Sequence, residues 1–239
     1  MDVLLLLSLA LAPGAAIGLY IYLKDKHERE PLGLLVRSFF FGTLSIFITL
    51  ILSMIIESFI TIDEADVSQQ AIHAFFIVAL VEEFSKFIFV WGILYRNKNF
   101  NEPFDGIVYS VMVGMGFATF ENIVYVVQNG LETAVLRMFT AVPAHAIFAI
   151  LMGYYLGKAK FEHNKSYYAI YALVVAALFH GAYDYFLFIS FVPGLWIGAL
   201  FSLILGIVLS RKAIRIHQHA SPFKPALTEV PLENDSQNG

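Results

Sequence analysis

The sequence predicts an all-α protein: a polytopic transmembrane helical bundle of about seven spans, N-terminus outside and C-terminus inside. Three observations carry that expectation. The 239 residues are 59% hydrophobic and only 14% charged, whereas a soluble domain carries about 25% charged residues. Apolar runs of the ~20 residues needed to cross a bilayer recur along the chain. The basic residues fall on alternate connections between those runs.

The runs lie at 3–23, 34–59, 71–95, 105–128, 134–157, 167–189 and 192–212. The first is read as a retained helix rather than a cleaved leader. Asp2 stands where a leader has a basic start, and Lys24, Lys26 and Arg29 follow the run instead. The last two runs are parted by Phe191-Val192-Pro193-Gly194, a turn sequence that makes them a helical hairpin. Residues 1–212 form the membrane domain. Residues 213–239 are polar, contain prolines and read as a disordered cytoplasmic tail.

Orientation follows from lysine and arginine. Lys24, Lys26, Arg29 and Arg37 follow the first run, Arg96 and Lys98 the third, and Lys158, Lys160 and Lys165 the fifth. Arg211, Lys212, Arg215 and Lys224 follow the seventh. Only Lys86, inside a run, and Arg137 fall elsewhere. The connection after the second run is acidic, with Asp63, Glu64 and Asp66. The chain is thus expected in a cell membrane, in contact with lipid. A net charge of −4 with dispersed basic residues offers no nucleic-acid surface. The absence of cysteine excludes disulfides, thiolate metal ligands and a cysteine nucleophile.

Against this background the charged residues within the runs stand out. A charge at a helix centre costs about 2.5–3.5 kcal/mol on insertion scales. The third run holds Glu82, Glu83 and Lys86; the fourth holds Glu121 and Asn122; the fifth holds His145; the sixth holds His180 and Asp184. At ~1.5 Å per residue these positions overlap in one band, from the midplane into the outer half. Glu82 and Lys86 are four apart and share a helix face, so they are expected to pair, leaving Glu83 for a neighbouring helix. His180 and Asp184 have the same spacing, and Asp184 can fix the imidazole tautomer. Two histidines with carboxylates form a donor set of the zinc type, and a remaining glutamate can serve as general base toward water. Neither H-E-x-x-H nor G-x-S-x-G occurs. Glu57, His73 and Arg137 read as interfacial. Gly153 and Gly157 read as a close-packing stripe, as do Gly114 and Gly116. Intramembrane carboxylates and histidines also build proton relays, so a proton- or cation-coupled transporter is the alternative.

The motifs resemble those of the PrsW family of intramembrane metalloproteases. Glu82-Glu83-x-x-Lys86, Phe117-x-x-x-Glu121-Asn122, His145 and His180-x-x-x-Asp184 occur in that family's order, over about half of the chain. The resemblance implies a membrane-embedded endopeptidase. It would perform site-1 cleavage of a single-span protein of the anti-sigma-factor type on the extracytoplasmic side and so activate a stress sigma factor. The implied catalytic set is Glu82, Glu83, Lys86, Glu121 and Asn122. The implied metal set is His145, His180, Asp184 and Glu121, with Zn2+ as the expected ion. The family is similar in turn to the CAAX prenyl proteases, whose second motif usually ends in histidine where this chain has Glu121. A metal-free mechanism, with water activated by glutamate and histidine, therefore stays open. Glu83 is the expected base, with Glu82 held by Lys86.

Overall fold

The computed structural model describes residues 3–224, which are mostly helical; no strand occurs among them. The helices are α1 (Val3–Lys24), α2 (Leu32–Glu57), α3 (Val67–Ile72), α4 (Leu80–Gly92), α5 (Pro103–Asn129), α6 (Leu131–Phe139), α7 (Ala141–Phe161), α8 (Lys165–Phe188) and α9 (Ile197–His219). A π-helical segment, His73–Ala79, joins α3 to α4 without a break. Six rods are long and apolar enough to cross a membrane, counting α6 with α7. The seventh rod is α3, the π segment and α4, whose apolar run is interrupted by Glu82, Glu83 and Lys86.

α5 is the axis of the bundle. It begins with Pro103 in its first turn, where a missing N–H does no harm. α1, α2, α4 and α7 surround it. Its small residues set the distances. A Cβ on Gly106 would stand 2.6 Å from the Gly157 backbone nitrogen, and one on Gly114 would stand 2.8 Å from the Ala149 Cβ. α5 and α7 therefore touch backbone to backbone, as the glycine stripes predict. The outer faces of α2 and α9 expose Phe40, Phe47, Ile51, Phe201 and Ile204, the pattern of helices that face lipid.

The basic connections gather at one end. Lys160 Nζ donates to the Tyr95 carbonyl at 2.6 Å, and Tyr95 Oη donates to the Ala159 carbonyl at 2.8 Å. Gln218 donates to the Lys24 carbonyl. At the opposite end His73 stacks on Phe188, ring centres 5.1 Å apart. There Gly194, at φ 85°, makes the turn between α8 and α9 that the Pro-Gly pair predicts.

Two boundaries depart most from expectation, by seven residues each. The fifth span starts at Ala141, not at 134, because the chain breaks at Thr140 (φ −121°, ψ −78°) and residues 131–139 form the separate α6. Pro143 explains the break: its ring cannot follow an unbroken turn of helix, but fits the first turn of a new one. The last helix continues past 212 to His219. Ala213, Ile214 and His217 are buried there, so this stretch packs on the bundle rather than trailing from it. The rest of the predicted tail, 225–239, and Asp2 lie outside the described residues.

Candidate active site

The π segment sits directly before Glu82. Its wider turn changes the phase of the helix, so the face that α4 presents cannot be extrapolated from residues 67–72. Gly181 of α8 lets the two rods close up: a Cβ there would stand 3.0 Å from the Phe75 Cα. This approach brings His180 to Glu83.

The polar residues of the four spans converge. His180 Nδ1 lies 2.9 Å from Glu83 Oε1, and its Nε2 lies 3.1 Å from Asp184 Oδ2 and 3.9 Å from Glu82 Oε2. His145 Nε2 lies 2.9 Å from Glu121 Oε2. Lys86 Nζ donates to Glu83 Oε1 at 2.7 Å and to Glu82 Oε2 at 3.3 Å, and lies 3.3 Å from His145 Nδ1. An ammonium can only donate, so His145 Nδ1 is the acceptor and its Nε2 carries the proton toward Glu121. Phe148 stacks on the His180 ring at 4.7 Å and 14°. Phe117 lies under the Lys86 ammonium at 4.0 Å. The sequence-predicted set is therefore one cluster, assembled from α4, α5, α7 and α8.

The division of labour within it differs from the expected one. Lys86 bridges both glutamates and lies nearer Glu83, which is also held by His180 and is 1% exposed. Glu82 is the glutamate that faces open space. It lines a cavity of about 470 Å³ together with Glu121, His145, His180 and Asp184. The lining also includes His73, Leu136, Leu187 and Phe188, and the His73–Phe188 stack marks the end away from the basic connections. Glu83, Lys86 and Asn122 do not line it. Asn122 is fully buried; its Nδ2 donates to the Ala10 carbonyl at 3.1 Å and its Oδ1 accepts from Arg137 Nε at 3.0 Å.

Arg137 corrects the interfacial reading. Its Nη2 meets Glu121 Oε2 at 2.7 Å, its guanidinium covers the Tyr125 ring at 4.0 Å, and it lines the cavity. The signal was present as the one basic residue on a side otherwise without lysine or arginine. Only the break at Thr140 aims it inward. Phe148, a plain core residue by sequence, gave no signal.

Glu82, Glu83, His145 and His180 each offer a ligand atom, and these atoms lie within 4.8 Å of one another. Glu83 Oε2 is buried without a partner. Two imidazoles and two carboxylates are donors of the zinc class, so the residues fit a metal ion. Lys86 touches three of these four donors, and an ion seated there would take over at least one of its contacts.

The profile of the PrsW family intramembrane metalloprotease matches residues 30–217. A protease PrsW of Geobacillus kaustophilus is 41% identical over 218 residues, 91% of this chain and 94% of its own. A protease PrsW of Oceanobacillus iheyensis is 39% identical over 208 residues, 83% of this chain and 94% of its own. One of Bacillus subtilis is 36% identical over 185 residues, 76% of this chain and 82% of its own. No solved structure matches the chain.

Proposed function

The chain belongs to the PrsW family of intramembrane metalloproteases; from that premise we propose a site-1 protease that cuts a single-span membrane protein of the anti-sigma-factor type on the extracytoplasmic side. That cut would begin the release of a stress sigma factor. Membership makes the chain a multi-pass membrane protease, and the transport alternative falls with it. The single observation behind the mechanism is the cavity lined by Glu82, Glu121, His145 and His180. Its lining reaches His73 and Phe188 at the end away from the basic connections, and the charge rule supports reading that end as extracytoplasmic.

In this reading Glu82 is the general base, because it alone of the α4 glutamates reaches the cavity. It takes the proton of a water and delivers it to the leaving amine. His145, His180 and Glu83 would hold Zn2+, leaving Glu82 free as the base; when bound, the ion supplies Lewis acidity toward water and the scissile carbonyl. Asp184 orients His180 through Nε2, which leaves Nδ1, on the Glu83 side, as the nitrogen that would face the ion. Arg137 faces the cavity with charge to meet a developing oxyanion, while Glu121 and Asn122 fix its direction. Lys86 compensates the paired carboxylates from behind. The substrate must locally unwind, since a helix hides its carbonyls in internal hydrogen bonds.

The test is cleavage of a single-span reporter by the purified full chain in liposomes, with the cut mapped by mass spectrometry. One cut near the reporter's extracytoplasmic end is expected, lost with chelator and restored by Zn2+. A cut confined to the cytoplasmic end, or no cut, would refute the reading.

A further inference from the structure

A second buried cluster lies at the basic end, where no motif draws attention to it. Asp25 and Glu30 come from the α1–α2 connection, Glu102 from the residue before α5, and Asp105 from its first turn. All four are buried; Asp25 and Glu102 are 1% exposed and Asp105 is fully buried. Ligand oxygens of Asp25, Glu102 and Asp105 lie within 4.8 Å of one another.

Helix capping explains part of this group. Asp105 Oδ2 accepts from the Asn101 and Glu102 backbone N–H groups, each at 2.8 Å. Ser221 donates to Glu102 Oε2, and Tyr109 donates to Glu30 Oε2. Capping does not explain Asp25, whose two buried carboxylate oxygens meet no N–H or hydroxyl donor and have the Glu102 carboxyl beside them, nor Asp105 Oδ1, which also meets no donor, the Asp105 carboxyl lying beside that of Glu30. No lysine, arginine or histidine among the described residues forms an ion pair with any member. His27 acts on Glu102 and Lys160 on Asp105 only from beyond ion-pair distance, and the nearby lysines and arginines lie over rings. Lys24 lies over the Tyr20 ring at 5.3 Å, Arg29 over the Tyr22 ring at 5.3 Å, and Lys160 over the Tyr95 ring at 4.8 Å. Burial, reinforced by the charges of Glu102 and Glu30, pushes the Asp25 carboxyl up to about 7. Burial likewise raises Glu30 and Glu102.

Buried carboxylates are ordinarily paired or bound to a metal. We propose that Asp25, Glu102 and Asp105 hold a divalent cation of the hard, oxygen-loving Mg2+/Ca2+ class. The donor set is all oxygen, unlike the mixed set of the active-site cluster, and this selects against zinc. Oxygens on opposite sides of a Ca2+ ion stand about 4.6–5.2 Å apart at Ca–O distances of ~2.3–2.6 Å, a span this cluster accommodates. The ion clamps the α1–α2 connection to α5, and through Ser221 to the segment after α9. This inference does not rest on proteolysis.

The full chain, stripped with chelator in detergent, is titrated with MgCl2, CaCl2 and MnCl2 at constant ionic strength while thermal unfolding is followed. At least one of these cations is expected to raise the midpoint by several degrees. Asp25→Asn and Glu102→Gln should each abolish the rise, and His180→Ala, in the other cluster, should keep it. Bound Mn2+ counted by paramagnetic resonance gives a second readout: one ion in His180→Ala protein and none in the double variant Asp25→Asn/His180→Ala. No rise with any of the three ions would overturn the site. So would a rise that survives Asp25→Asn and Glu102→Gln, or one that disappears with His180→Ala.

Discussion

The two ends of α5 solve the same problem differently. Asp105 and Glu121, about 24 Å apart along the helix at ~1.5 Å per residue, each belong to a cluster of buried carboxylates. Around Glu121 the chain supplies its own compensation: Lys86, Arg137, His145 and His180 all lie within ion-pair distance of a carboxylate. Around Asp105 no cation among the described residues comes within ion-pair distance, and His27 and Lys160 act on Glu102 and Asp105 only from farther off. The first cluster opens on a cavity, and the second is closed by Ser221 and Tyr109. Internal compensation permits a reactive site to stay charged beside water and substrate. A sealed acidic pocket calls for an ion from outside, and acts as a fastening.

Substitutions can break this contrast, and the largest effect is expected at His180. His180→Ala removes the ring between Glu83 and Asp184 and a metal donor, and should lower reporter cleavage by at least about a hundredfold. The protein should still accumulate in the membrane, which immunoblotting checks. Arg137 comes next. Hydrogen bonds to charged groups contribute about 1.5–3 kcal/mol, so Arg137→Ala should slow cleavage by about tenfold to a hundredfold. Arg137→Lys should recover part of the rate, because an ammonium keeps the charge but not the fork that holds Glu121 and Asn122 together. Unchanged kinetics in Arg137→Ala would return that residue to the interface.

Smaller effects sharpen the structural half of the comparison. Gly153→Ala places a Cβ 2.6 Å from the Ile107 Cα, forcing α5 from α7 between the two clusters. A loss of about 1–3 kcal/mol is expected, read by thermal unfolding in detergent. Phe148→Leu removes the stack on His180. It should lower cleavage a few-fold, in line with about 0.5–1.5 kcal/mol for a ring pair, with little change in unfolding temperature.

Much of this was legible in the sequence, for identifiable reasons. The seven spans and the shared depth of Glu82, Glu121, His145 and His180 follow from hydropathy and spacing, because a bilayer imposes length on every element. The helical hairpin at Pro193-Gly194 follows from local turn chemistry. Which glutamate faces the cavity was not legible, since the π segment at His73–Ala79 resets the rotation of α4. Arg137 was hidden because its direction depends on the break at Thr140, a tertiary consequence of Pro143. The Asp25–Asp105 cluster joins residues 80 positions apart, and neither local segment is unusual alone.

The central claim is that Glu82, not its buried neighbour, activates water in the cavity. It is tested most directly by incubating the purified single-span reporter with wild-type and Glu82→Gln protein at equal reconstituted amounts. The account predicts specific cleavage by the wild type and essentially none by Glu82→Gln, whose unfolding temperature stays near that of the wild type. Equal cleavage by the two proteins would contradict it.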